Sequence, residues 1–178
     1  MDFSDRKTTL SRFFSGLAEN TFHGRLGVAD PPLIDYISEL LTRFVHCDAI
    51  YKVRDLAGRR LEEVAEMLVE ADARIGNPQR EVHRHIGDFA LFWTGVYPES
   101  LKRPGRSMRD RFVDYCAEGK RSYYIASTLR TEENDTESDV LARLSYEFEL
   151  CAFGLAEVRR EWERRDDDGV SPGLLWIE

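Results

Sequence analysis

Cysteine, histidine and proline are scarce in this chain of 178 residues, and long apolar runs are missing. The three cysteines, Cys47, Cys116 and Cys151, lie far apart and form no C-x-x-C pair. Such an odd and sparse set indicates reduced thiols rather than a disulfide framework. No run approaches the roughly 18 apolar residues of a membrane span, and the polar N-terminus has no signal-peptide core. The sequence therefore predicts a cytoplasmic protein without a membrane segment.

Basic residues are also fewer than acidic ones. The chain carries 25 lysines and arginines against 33 aspartates and glutamates, which gives a formal net charge of −8. A general nucleic-acid binder needs a basic surface to neutralise phosphates, so we expect neither nucleic acid nor an anionic membrane as a partner. The glycines and serines form no P-loop, dinucleotide fingerprint or G-x-S-x-G elbow. This disfavours the common nucleotide-dependent and hydrolase chemistries.

What the sequence does contain is clear helix punctuation. Asp30 stands at an N-cap position before Pro31, and Asn77-Pro78 opens a later segment in the same way. No stretch alternates with period two for long enough to predict a sheet, although residues 50–53 leave room for a short edge strand. The pattern therefore predicts an all-α fold.

The predicted architecture is a single-domain bundle of about six helices. The domain is expected to cover residues 1–178, with loose tails at 1–6 and 166–178. After a first helix and the helix that Asp30 caps, the later helices are expected to run from Arg59 to Gly76, from Asn77 to about Gly95, from Ser107 to about Leu129, and from Ser138 to Arg165.

Two of these predicted helices carry faces suited to close packing. The fifth helix has the small residues Gly119, Ser122 and Ala126 in its apolar stripe, which would let another helix approach closely. The last helix has apolar residues spaced alternately three and four apart, as in a bundle seam: Leu141, Leu144, Phe148, Cys151, Leu155, Val158 and Trp162. A surplus of such faces favours a homodimer that buries them isologously.

The segment EVHRHIGDFALFW, residues 81–93, is the strongest candidate for a functional site. On a helix that turns about 100° per residue, its apolar side chains face the core, while Glu81, His85 and Asp88 share one flank. His83 falls on the other flank, so the paired-histidine zinc motif H-E-x-x-H is absent. No Glu-x-x-His occurs anywhere in the chain either, which departs from the ferritin-like pattern.

Two interpretations of this flank stay open. In the first, Glu81, His85 and Asp88 are metal ligands or an acid–base set, and acids from the third helix complete the site. In the second, they form a hydrogen-bonded polar edge in which the carboxylates hold His85 or pair with arginines. The sequence requires no cofactor, and a divalent metal is compatible with the first interpretation. Two further histidines, His23 and His46, lie near predicted helix ends, where they are expected to cap carbonyls or to be solvated.

The middle third of the chain carries a resemblance to a known group. The segments GDFALFWTGVYPES and DYCAEGKRSYYIAS are similar to a family of bacterial all-helical proteins that has no established function. The pattern is GD-x-ALF-x-x-G-x-x-PE over residues 87–99, followed by Asp114-Tyr115, Gly119, Tyr123 and Ala126-Ser127. The resemblance implies a helical fold and a bacterial source, and it implies nothing about mechanism.

Three functions follow as hypotheses. The leading one is a non-enzymatic interaction module that acts as a homodimer. The alternative is a helical-bundle metalloprotein or metal-dependent enzyme centred on Glu81, His85 and Asp88. A third is a small-ligand-binding bundle in which Phe92, Trp93 and several tyrosines surround a cavity.

Overall fold

The computed structural model describes residues 3–45, 47–102 and 113–168 and is all-helical over these ranges. The predicted fold class is therefore confirmed. Within the described ranges the β-type pairing is limited to an isolated bridge between Arg54 and Arg60, so residues 50–53 form no strand. No helix in the same ranges is long and apolar enough to cross a membrane.

The described chain contains eight α-helices, whereas about six were predicted. They are α1 (Phe3–Ala18), α2 (Pro31–Phe44), α3 (Cys47–Ile50), α4 (Val64–Asp72), α5 (Asn77–Gly95), α6 (Tyr115–Thr128), α7 (Asp135–Tyr146) and α8 (Phe148–Asp167). A π-helical segment, Glu19–Arg25, continues α1. Short 3-10 turns at Pro98–Lys102 and Glu132–Asn134 follow α5 and precede α7.

The chain divides into two compact units rather than one confirmed domain. The first comprises the described residues of 1–50 and 153–178, and the second those of 51–152. The prediction of a single domain over the whole chain is therefore not confirmed. Of the predicted loose tails, residues 1–2 and 169–178 lie outside the described ranges.

The first unit is built on α2, which begins as its sequence predicts. Asp30 Oδ1 accepts a hydrogen bond from the backbone N–H of Leu33 at 3.2 Å, and Pro31 occupies the first helical position. The wide apolar face of α2 is buried with residues of α1 and α8: Phe14, Leu17, Ile37, Leu40, Leu41, Phe44 and Trp162. Burial of apolar surface on this scale is the main source of the unit's stability.

The second unit opens with a turn where the sequence predicted the start of a helix at Arg59. Asp55 Oδ1 accepts backbone hydrogen bonds from Ala57 and Arg59, each at 2.9 Å, and Gly58 has a φ of +80°. A residue with that φ cannot continue a right-handed helix, and glycine adopts it without strain. Helix α4 therefore begins only at Val64.

The predicted last helix is two helices. It breaks at Glu147, which lies between α7 and α8 and has φ −98° and ψ 25°. Neither glycine nor proline lies at the break. The apolar residues keep the same spacing on both sides of it, so the sequence pattern gives no sign that the helix ends there. All seven seam residues, from Leu141 to Trp162, are buried within the chain. The seam is therefore already part of the core.

The start of α6 also differs from its prediction. Asp114 caps the helix by accepting a hydrogen bond from the backbone N–H of Ala117 at 3.0 Å. The predicted cap, Ser107, and most of the basic loop around it lie outside the described residues. The predicted end near Leu129 agrees with the structure, in which α6 ends at Thr128.

Helices α5 and α6 approach each other closely at two glycines. A Cβ atom built on Gly87 would lie 2.5 Å from the ring of Tyr123. One built on Gly119 would lie 2.6 Å from the ring of Phe148 and 2.9 Å from the Cβ of Ala90. These distances are shorter than van der Waals contact, so both helices require the absence of a side chain at these positions. The small residues of α6 are used here, inside the chain.

We expect Gly119→Ala to lower the free energy of unfolding by about 1–3 kcal/mol, because the added methyl group overpacks the site between Phe148 and Ala90. Urea denaturation followed by circular dichroism measures the change. The matched control is Gly16→Ala in α1, where no atom lies within 4 Å of the added Cβ. That substitution should be neutral or stabilise by up to about 1 kcal/mol. Equal effects of the two substitutions would contradict the close approach.

Candidate functional site

Helix α5 carries all the predicted site residues. It begins at Asn77, and the residue before it, Gly76, takes a φ of +68° as the N-cap, with Pro78 in the first turn. The helix ends at Gly95, as the sequence predicts. Its apolar stripe is buried, and so are many of its polar side chains, among them Arg80, His83, His85 and Asp88. Polar groups buried in this way require partners inside the protein.

Glu81 belongs to an ion-pair network rather than to a cluster of ligands. Arg80 Nη1 donates to Glu81 at 3.0 Å, and Arg84 lies 3.6 Å from the same carboxylate. Arg80 and Arg84 also donate to Glu137 of α7, at 2.6 and 2.5 Å. Arg80 is only 1% exposed, so its charge depends on these two carboxylates.

The carboxylate of Glu137 is adapted to this position. Partial burial raises the pKa of Glu137, but the hydrogen bonds and positive charges of Arg80 and Arg84 together outweigh that effect. The pKa therefore lies below its ordinary value of 4.5, and the group is charged at neutral pH. The network fastens the N-terminal half of α5 to α7.

Asp88 is completely buried and contacts a different helix. The hydroxyl of Tyr123 in α6 donates to Asp88 Oδ1 at 2.8 Å. The same tyrosine ring covers Gly87, so one side chain fills the space beside the glycine and supplies a donor to the next residue. Asp88 is thus part of the contact between α5 and α6.

His85 is also completely buried, and its ring centroid lies 6.2 Å from that of Phe89. The three predicted residues therefore have different surroundings: Glu81 pairs with arginines, Asp88 with a tyrosine, and His85 lies in the aromatic core. In the described ranges, no group of three histidine, cysteine, aspartate or glutamate side chains is placed to hold a metal ion. The metal site remains a prediction without support from these residues.

A second histidine of α5, His83, was not among the predicted ligands. It is 3% exposed, and its Nδ1 lies 3.4 Å from the hydroxyl of Ser122 in α6. Burial lowers the pKa of His83, the charge of Asp72 raises it, and that of Arg121 lowers it. The resulting pKa lies below the ordinary value of 6.5. His83 is therefore a neutral packing residue at physiological pH.

The remaining sequence candidates do not join this region. His23 is exposed, with Nδ1 3.4 Å from the carbonyl of Val28, near a helix end as expected. His46 lies outside the described residues. Burial raises the pKa of the Cys116 thiol, and the neighbouring Glu149 carboxylate raises it further. A thiol with a raised pKa is a poor nucleophile.

Comparison of the chain with protein-family models, with curated proteins and with solved structures gave no match. The resemblance to a bacterial helical family stays a prediction. The function must therefore be inferred from the geometry of the chain itself.

We expect the protein to lose stability as the pH falls below the ordinary histidine pKa of 6.5. Because burial disfavours the charged imidazole in the folded state, the unfolded chain takes up the proton first. The contribution of His83 is complete above pH 6.5 and decreases by at most about 1.4 kcal/mol per pH unit below it.

Urea denaturation at about pH 7.5 and about pH 5.5 measures this dependence. His83→Gln should lose less stability between the two pH values than the unmodified protein. The exposed His23→Gln variant is the control and should behave as the unmodified protein does. The same pH dependence in all three proteins would show that His83 is not held neutral by burial.

Proposed function

We propose that the protein is a non-enzymatic helical interaction module that forms a homodimer. The observation that carries this proposal is the exposure of large apolar side chains on ordered backbone. Leu56 and Ile75 are 97% and 89% exposed, the highest values among the large apolar residues described. Exposed apolar side chains mark a site of protein–protein contact where they form a contiguous patch, and the proposal places Leu56 and Ile75 in one such patch.

The turn that presents Leu56 is held in place by the Asp55 carboxylate and by backbone hydrogen bonds from Asp55 to Arg59 and from Gly58 to Asp55. Besides its two backbone hydrogen bonds, Asp55 accepts one from Arg59 Nε at 3.2 Å. Arg59 also donates to Glu66 of α4 at 3.1 Å. A loop fixed in advance loses little conformational entropy on binding, which favours association.

Leu56 and Ile75 lie on two segments that are tied together. Arg74 Nη2 donates to the backbone carbonyl of Arg54 at 2.8 Å, and its Nε donates to Glu70 at the same distance. The hydrogen bond links the residue before Ile75 to the turn that carries Leu56. We refer to these two side chains as the Leu56/Ile75 surface.

The faces that first suggested a dimer are occupied within the chain. The seam of α7 and α8 and the small residues of α6 are buried. A homodimer therefore has to use a different surface, and a twofold arrangement would place the Leu56/Ile75 surface of one copy on that of the other.

The proposed place of action is the cytoplasm. Cys116 and Cys151 have free thiols, and Cys151 is fully buried as a small apolar residue. Reduced cysteines support a reducing compartment.

We expect light scattering after size-exclusion chromatography to give the mass of a dimer at micromolar concentration. Because the proposed interface loses its apolar side chains, Leu56→Ser/Ile75→Ser should give the mass of a monomer. Tyr146→Ser is the control, since Tyr146 is 81% exposed and lies elsewhere. That variant should remain a dimer. If the unmodified protein is a monomer, the homodimer proposal is wrong. If the double variant is still a dimer, the interface lies on another surface.

A further inference from the structure

A groove in the first unit combines charged and apolar walls. It has a volume of 290 Å³ and lies where α1, the π-helical segment and the start of α2 meet. Its walls are Ser15, Glu19, His23, Pro31, Ile34 and Asp35. The volume is close to the lower limit of small-molecule sites, which is about 300 Å³.

The backbone on one side of the groove is unusual. Ser15, Glu19 and His23 follow one another at intervals of four residues, which brings them to one face of the helical chain. The π-helical segment begins at Glu19. Turns of this kind are rare in proteins as a whole, and those that occur are often found at functional sites. The same segment buries the hydroxyl of Thr21 without a hydrogen-bond partner among the described residues.

The charge of the groove is not neutralised by the residues that the structure describes. Glu19 comes from the π-helical segment and Asp35 from α2, both are exposed, and neither forms an ion pair or hydrogen bond with another described residue. Elsewhere in the same unit, Glu157 pairs with Arg25 at 2.9 Å. The groove therefore presents two carboxylates that no described side chain neutralises.

We propose that this groove binds a small organic ammonium ligand with a short apolar body. The ammonium group would donate hydrogen bonds to the carboxylates of Glu19 and Asp35, which would also neutralise its charge, and the apolar body would cover Pro31 and Ile34. Ser15 and His23 add hydrogen-bonding groups at the rim. The apolar residues Pro31 and Ile34 suit an organic cation better than a bare metal ion, for which the described residues offer no group of three ligands.

Titration of the isotope-labelled full-length protein with benzylamine, followed by amide chemical shifts in NMR, tests this proposal. Benzyl alcohol is the comparison probe, because it has nearly the same shape and no charge. We expect benzylamine to produce saturable shifts for residues 15–35 and benzyl alcohol to produce none. Glu19→Gln/Asp35→Asn should weaken the binding of benzylamine by at least about tenfold.

The control variant is Glu132→Gln/Glu133→Gln, which removes two exposed charges elsewhere and should leave the affinity unchanged. Because all four substituted side chains are exposed, both variants should keep the circular dichroism spectrum of the unmodified protein. The proposal is overturned by the absence of saturable shifts, by equal binding of benzyl alcohol, or by unchanged affinity in the groove variant. None of these readouts depends on whether the protein is a dimer.

Discussion

The contact of Tyr123 with Gly87 and Asp88 is the constraint on which the second unit depends. The ring lies where a side chain on residue 87 would have to be, and the hydroxyl donates to the buried carboxylate of Asp88 at 2.8 Å. The position of α6 against α5 is thus set by shape and by a hydrogen bond at the same place. A buried carboxylate without that donor would be costly, so the two requirements reinforce each other.

The polar residues of α5 contact two neighbouring helices. Asp88 serves the contact with α6, while Arg80 and Arg84 join Glu81 to Glu137 of α7. Of the three predicted site residues, Glu81 therefore shares its arginines with Glu137 of α7, Asp88 contacts α6, and His85 is buried beside Phe89. The proposed binding groups lie instead at the surface, in the Leu56/Ile75 surface and in the groove of the first unit.

The sequence predicted the all-helical class, the cap of α2 at Asp30 and the end of α5 at Gly95, because these depend on local signals. It did not predict the turn at Asp55, since the acids and apolar residues around Arg59 also fit a helix, or the break at Glu147, which no breaker residue marks. The sequence could not predict the partners of the candidate site residues for another reason. Tyr123 and Glu137 lie 35 and 56 residues from Asp88 and Glu81, and spacing along one helix does not show which residues of others meet it.

The most direct test of the account is a double-mutant cycle on Asp88→Ala and Tyr123→Phe, measured as free energies of unfolding in urea. If the hydrogen bond joins α5 to α6, each single substitution destabilises the protein, and the two are coupled by about 1–3 kcal/mol. A coupling energy near zero would contradict the account. It would show that Asp88 is buried for a reason other than its contact with Tyr123.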